Sequence, residues 1–170
     1  SLWLGDKLGD EGVKYLAESE SLTRLTQLSL YRNNIGNEGA IAIANSKNLA
    51  KLEELNLNWN YIEAEGLDAL AHSDTLKSLT QLTLTYNPLG LRGAEVIANA
   101  ENFKNVTLMD LYETEIGNLG GKALANSKNL PAMKTLVLIH NDITEGVEAL
   151  FKDNENFPNL ENIYFNKPKE

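Results

Sequence analysis

Apolar residues return at one fixed interval along nearly the whole chain. Leu25, Leu52, Leu79, Val106, Met133 and Leu160 stand 27 positions apart. Leu28, Leu55, Leu82, Met109, Leu136 and Ile163 keep the same step, as do Leu30, Leu57, Leu84, Leu111, Leu138 and Phe165. Within a unit the hydrophobic period changes. Leu25 to Leu30 alternates apolar with polar residues towards its end, which predicts a strand with one buried face. Asn33-Asn34-Ile35-Gly36 breaks that strand, and Gly39, Ala40, Ile43 and Ala44 then form an apolar stripe at helical spacing. Asn45 to Asn48 ends the helix and Leu49 turns the chain back.

A unit of this size cannot bury its apolar face alone, so its neighbours must do it, and the expected fold is a stack of about six repeats. Successive strands lie parallel at about 4.8 Å, whereas packed helices need roughly 8–10 Å. The mismatch bends the stack into an arc of roughly 20–30° per repeat, with the parallel sheet on the concave face and the α-helices on the convex face. The predicted class is therefore an α/β solenoid, a curved horseshoe segment formed by residues 1–170 as a single domain. The chain opens in the middle of a repeat, so an upstream segment or a missing N-terminal cap is expected.

Two further positions keep the same phase. Asn33, Asn60, Asn87 and Asn141 recur at the end of the strand, with Thr114 standing in once. An amide there can both donate to and accept from backbone groups where the strand ladder stops. Threonine supplies part of this, which predicts a looser turn at Thr114. Gly39, Gly66, Gly93 and Gly120 are expected to let each helix approach its neighbour, or to start it in a backbone shape hindered by a side chain. Acidic residues gather at helix starts (Asp10, Glu11, Glu38, Glu63, Glu65 and Glu145), where the helix dipole favours them. The 21 asparagines are read as solvated turns and helix ends.

These residues resemble a known family. Leu-x-x-Leu-x-Leu-x-x-Asn-x-Ile-Gly-x-x-Gly-Ala followed by Ile/Leu-Ala, seen best in residues 25–44 and 79–98, is similar to the leucine-rich repeat of the ribonuclease-inhibitor-like class and its bacterial GALA-type relatives. The pattern covers residues 2–165. The resemblance implies a horseshoe scaffold that binds protein partners on its concave face, in a class that serves inhibitors, GTPase-activating proteins, innate sensors and bacterial secreted effectors alike. Three departures stand out. The first unit is one residue short if Leu2 and Leu4 are its strand leucines, Gly146 arrives one position early with Val147 in the usual glycine place, and no F-box-like region accompanies the repeats.

Charge narrows the partner. The formal net charge is -9 with a pI near 4.8, which argues against nucleic acid and against anionic membrane surfaces, and favours a partner with a basic surface. There is no cysteine, so a cytoplasmic protein or a bacterial secreted effector is expected ahead of a disulfide-capped extracellular domain. No apolar run approaches the roughly 18 residues of a membrane-spanning helix. With two histidines and no cysteine, no structural zinc site and no cofactor are expected.

The fixed positions hold the stack together, so function is sought in the variable ones. Alternate strand residues point to solvent on the inner face and line up in columns across the repeats. One column runs Trp3, Ser29, Asn56, Thr83, Asp110, Val137, Tyr164. The next runs Tyr31, Asn58, Thr85, Tyr112, Ile139, Asn166, and a third runs Arg32, Trp59, Tyr86, Glu113, His140, Lys167. The column before the second leucine runs Gln27, Glu54, Gln81, Leu108, Thr135, Asn162. Aromatic side chains concentrate here, and Leu108, Val137 and Ile139 add an apolar patch. Aromatics suit strands and pack on cross-strand neighbours. They are also the residues most enriched at interface hot spots, together with arginine. The expected partner-binding set is Tyr31, Arg32, Trp59, Tyr86, Asp110, Tyr112, Glu113, Val137, Ile139, His140 and Tyr164.

Other chemistry is weaker. Glu113 and His140 share a column on adjacent strands, a carboxylate–imidazole arrangement read as an exposed ion pair on an open sheet that excludes no water. His72 is read as a helix end. Asn105-Val106-Thr107 matches a glycosylation acceptor with a threonine that opens a strand, and the match carries little weight. The leading expectation is a non-catalytic recognition module. The alternatives are a solenoid that associates with itself through open strand edges, and a GTPase-activating regulator.

Overall fold

The computed structural model describes residues 2–3 and 7–166, with Trp3 described by its backbone alone. Leu4 and Lys167, placed in the repeat pattern above, lie outside the described residues. Among the described residues seven strands form one parallel sheet in chain order: β1 (Leu2–Trp3), β2 (Gln27–Ser29), β3 (Glu54–Asn56), β4 (Gln81–Thr83), β5 (Leu108–Asp110), β6 (Thr135–Val137) and β7 (Asn162–Tyr164). The register follows the 27-residue step from β2 onwards, pairing Leu28 with Leu55, Leu55 with Leu82, and so on to Ile163. Leu2 pairs with Leu28, so the first unit is indeed one residue short. The helices are α1 (Gly9–Glu18), α2 (Asn37–Asn45), α3 (Ala64–Ala71), α4 (Gly90–Asn99), α5 (Gly117–Ala125) and a shortened α6 (Glu145–Glu148). This is the solenoid that the periodicity demands.

The regular strands are three residues long, half the stretch that the alternation suggests. Their central residues Leu28, Leu55, Leu82, Met109 and Leu136 are buried against the helix stripe, whose members include Ile43, Leu70, Ile97 and Leu124. Leu49, Leu76, Phe103, Leu130 and Phe157 close the far end of each unit. The core is thus a line of like layers, each sealed by the repeats on either side.

Polar residues stitch the layers together in three ladders. At the strand end, Asn60 Oδ1 accepts from the backbone N–H of Asn33 and Ile35, both at 3.0 Å, while its Nδ2 donates to the carbonyls of Leu30 at 3.0 Å and Leu57 at 2.8 Å. Asn141 does the same for Thr114 and Ile116. The turn at Thr114 is not loose: this residue is fully buried and its hydroxyl donates to Leu111 O at 2.8 Å. At the helix C-termini, Asn48, Asn102, Asn129 and Asn156 donate to carbonyls of the preceding repeat, as do the hydroxyls of Ser46, Ser73 and Ser127. Many asparagines are therefore structural cross-links rather than solvated ends.

The third ladder caps helices from outside. Asp10 Oδ1 accepts from Gly36 N at 2.7 Å and Gly39 N at 2.9 Å, so α1 caps α2. Asn37 Oδ1 caps α3 through Glu63 N and Gly66 N, and Asn118 Oδ1 receives Thr144 N ahead of α6. Ala64 and Leu91 hold the equivalent places before α4 and α5 and cannot cap. Those two helices start instead at glycines in the left-handed region, Gly90 (φ 60°) and Gly117 (φ 62°). The glycines at 39, 66, 93 and 120 serve close approach, not unusual backbone: a Cβ on Gly120 would lie 2.8 Å from Ala94 Cβ on the neighbouring helix.

Candidate protein-recognition face

The observed backbone pairing reproduces the first column, Trp3, Ser29, Asn56, Thr83, Asp110, Val137 and Tyr164, residue by residue. Beyond the strands the backbone ladder continues: Trp59 N donates to Thr85 O at 2.7 Å, Tyr86 N to Tyr112 O at 3.0 Å, and Glu113 N to Ile139 O at 2.9 Å. The column Arg32, Trp59, Tyr86, Glu113, His140 departs from expectation, because these are not strand residues. Each lies in the left-handed region, with φ between 50° and 58°, and ends its strand in a sharp turn. Bulky residues seldom adopt this conformation. After Arg32 and after Glu113 the buried asparagine of the next repeat holds the turn, Asn60 accepting from Asn33 N and Ile35 N and Asn141 from Thr114 N and Ile116 N, which helps to over-determine the strained residue.

That turn brings the side chains into a continuous row. The Arg32 guanidinium lies 5.6 Å from the Trp59 ring centroid. Trp59 and Tyr86 are 4.0 Å apart, Tyr86 and Tyr112 5.4 Å, and Tyr112 meets His140 edge-on at 5.0 Å. The cross-strand packing expected of aromatics is therefore realised, and the rings still present surface: Trp59 is 44% exposed. Tyr31 and Tyr164 are exposed too, outside the row of ring contacts among the described residues. Hydrogen bonding with Tyr112 first, and Glu113 second, pushes the Tyr86 phenol well above its ordinary range.

The rest of the expected set is less uniform. Val137 and Ile139 are half-buried and, with Leu108, give the C-terminal half an apolar floor. Asp110 has one oxygen engaged, accepting from Tyr112 N at 3.0 Å, so it shapes the turn as well as facing solvent. Glu113 and His140 do not form the expected ion pair, since no contact within 4.0 Å joins them among the described residues. The imidazole packs on Tyr112 instead. His72 ends α3 as expected, with Nδ1 3.0 Å from Asp68 O.

Two shallow depressions flank the row. One, of about 290 Å³, lies over β2–β4 between Gln27, Ser29, Glu54, Asn56, Gln81 and Thr83. The hydroxyl of Thr83, which lines it, is buried without a hydrogen-bond partner, as is that of Thr85 two residues on. The other, of about 390 Å³, sits beyond Tyr112 and is lined by Glu113, Glu115, Gly117, His140, Asn141 and Asp142. Glu115 and Asp142 were not among the expected site residues. They belong to a fourth register two places beyond the third (Asn34, Tyr61, Pro88, Glu115, Asp142), where Asn34, Glu115 and Asp142 are again left-handed and Tyr61 is 65% exposed. Among the described residues, no group of three or more His, Cys, Asp or Glu side chains is arranged to hold a metal ion.

Comparison with known proteins agrees with this architecture. Residues 21–44, 48–71 and 75–98 match the model of the leucine-rich repeat, so the chain carries leucine-rich repeats. No curated protein matches the chain. Among solved structures, an internalin from Listeria monocytogenes is similar in fold, with a TM-score of 0.50 and 17% sequence identity. That likeness covers 91% of this chain and 51% of the internalin, so the chain spans about half the length of that protein.

Proposed function

We propose that this leucine-rich-repeat solenoid is a non-catalytic protein-recognition module that holds its partner on the sheet face, along the row from Arg32 to His140. The observation that carries this reading is the row itself. Five successive repeats each hold a bulky residue in a strained left-handed turn, four of them in ring or cation contact with the row. A scaffold needs only a small residue or asparagine there. Strain that nothing in the core requires is more economically explained by a surface built for contact. The helical repeats, of eight to ten residues in α1–α5, support a ribonuclease-inhibitor-like reading of the class.

The test is direct. Replacing Tyr31, Trp59, Tyr86 and Tyr112 together by Ala should abolish partner capture while the circular-dichroism spectrum and unfolding cooperativity persist. Capture that survives in a folded variant rejects the sheet face as the binding surface.

A second reading, association of copies through strand edges, draws on the half-buried Ile163 and Phe165 beside the exposed Tyr164 at β7. It predicts a mass that grows with concentration in light scattering, and a charged substitution at Ile163 that stops the growth.

A further inference from the structure

We infer that the partner presents arginine side chains to this face, and that one guanidinium seats in the acidic depression at the C-terminal end of the aromatic row. The inference rests on the sheet-face reading above and names the partner's chemistry.

Three observations converge on a cation. The row ends at His140, whose ring touches Tyr112 and also lines the depression shared by Glu113, Glu115 and Asp142. Any side chain lying along the rings is thereby led to three carboxylates. Among the described residues, none of these carboxylates pairs with a lysine or arginine of the chain. All three carboxylates rise from left-handed turns, and the turn that carries Glu113 and Glu115 is tied to the next repeat by Asn141, whose Oδ1 receives the N–H groups of Thr114 and Ile116.

The shape of the site selects the kind of cation. The groups do not converge tightly enough for a metal ion, and the depression of about 390 Å³ is wide. A planar, delocalised guanidinium spans such a site, making forked hydrogen bonds to carboxylates while its face rests on an aromatic ring. The chain supplies its own precedent at the other end of the row, where Arg32 lies over Trp59. Gaps of 4.0–5.4 Å between the rings leave no room for intercalation, so a second guanidinium would lie across exposed ring edges. The overall charge of -9 steers a basic segment towards the molecule from a distance.

The experiment uses a short peptide with arginines at alternate positions and the same peptide with citrulline, which keeps the shape and removes the charge. Binding is read from Trp59 fluorescence in a Trp3→Phe background. The arginine peptide should bind at least about 10-fold more tightly than the citrulline peptide. The preference should vanish in E113Q/E115Q/D142N and persist in E18Q/E95Q/E155Q, which removes equal charge from exposed positions away from the row. Asparagine is well tolerated in left-handed turns, and thermal unfolding of each variant verifies its fold. Equal binding of both peptides, or equal loss in the two triple variants, overturns the inference. If that happens while a partner still depends on Tyr31, Trp59, Tyr86 and Tyr112, the sheet-face reading stands and only the guanidinium is rejected. If the arginine preference, read for this variant by titration calorimetry because Trp59 is gone, survives replacement of those four aromatics, the depression binds without the row and the inference as stated also fails.

Discussion

Trp59 and Tyr86 occupy equivalent places in adjacent repeats, and their rings lie 4.0 Å apart at an interplanar angle of 36°. Both residues have φ near 57°, so each alanine substitution leaves a similar backbone cost behind. A double-mutant cycle on stability therefore isolates the ring contact. The coupling expected for such a pair is about 0.5–1.5 kcal/mol, reduced towards the lower end by the exposure of Trp59. A coupling indistinguishable from zero in urea unfolding would mean that the rings are neighbours without attraction.

The same row predicts an order of tyrosine ionisation. Tyr86 should be the last tyrosine of the row to ionise, because Tyr112 and then Glu113 stabilise its neutral phenol. A raised folded-state pKa favours the folded protein below the ordinary value of 10.0. That contribution is lost as pH rises through and beyond this value, where the unfolded phenol ionises first. Tyr112→Phe should lower the titration of Tyr86 more than Glu113→Gln does. Absorbance titration of the two variants gives the order, and the reverse order contradicts the assigned cause.

Asn60 should be among the most sensitive surface-distant polar residues. Its alanine variant leaves the buried N–H groups of Asn33 and Ile35 and the carbonyl of Leu30 without the amide that serves them. Each buried group left unsatisfied costs about 1–3 kcal/mol, so a total near 3 kcal/mol is expected after relaxation. Asn34→Ala, at an exposed position, should cost about 1 kcal/mol or less, mainly through its left-handed φ of 56°. Equal losses in the two variants would remove the ladder from the account of stability.

The parallel pairing of β2 to β7 was legible in the sequence because it depends on side chains that themselves recur, such as Leu28, Leu55 and Leu82. The first column of the candidate face was legible for the same reason. The left-handed turn was not, since Arg32, Trp59, Tyr86, Glu113 and His140 share no residue type and none is the glycine or asparagine that usually marks such a backbone. At Arg32, Trp59 and Glu113 the turn is held by the asparagine of the next repeat (Asn60, Asn87 and Asn141), a contact some 25–27 positions away. The helix caps were hidden likewise. Asp10, Asn37 and Asn118 look like first-turn residues of their own helices, yet they serve the following one. Local reading finds what repeats within a unit and misses what passes between units.

Two glycines put that inter-repeat packing to a test with opposite signs. Both Gly66 and Gly146 lie within helices, where alanine is intrinsically better by about 1 kcal/mol. Gly146 has nothing within 4 Å of the place a Cβ would take, so Gly146→Ala should stabilise the protein by about 0.5–1 kcal/mol. At Gly66 the added carbon would lie 2.8 Å from Asn37 Oδ1 and 3.0 Å from both Asn37 Cα and Ala40 Cβ. Two of those three atoms cannot swing away, and the third is the oxygen that caps α3 through Gly66 N itself. Relieving the clash must separate α2 from α3 or break the cap. Gly66→Ala should therefore destabilise by about 1–3 kcal/mol despite its helix propensity. Thermal unfolding of the two variants should move the midpoint in opposite directions. A rise for both would show that the helices are not held at their closest approach, and that the glycine period has some other cause.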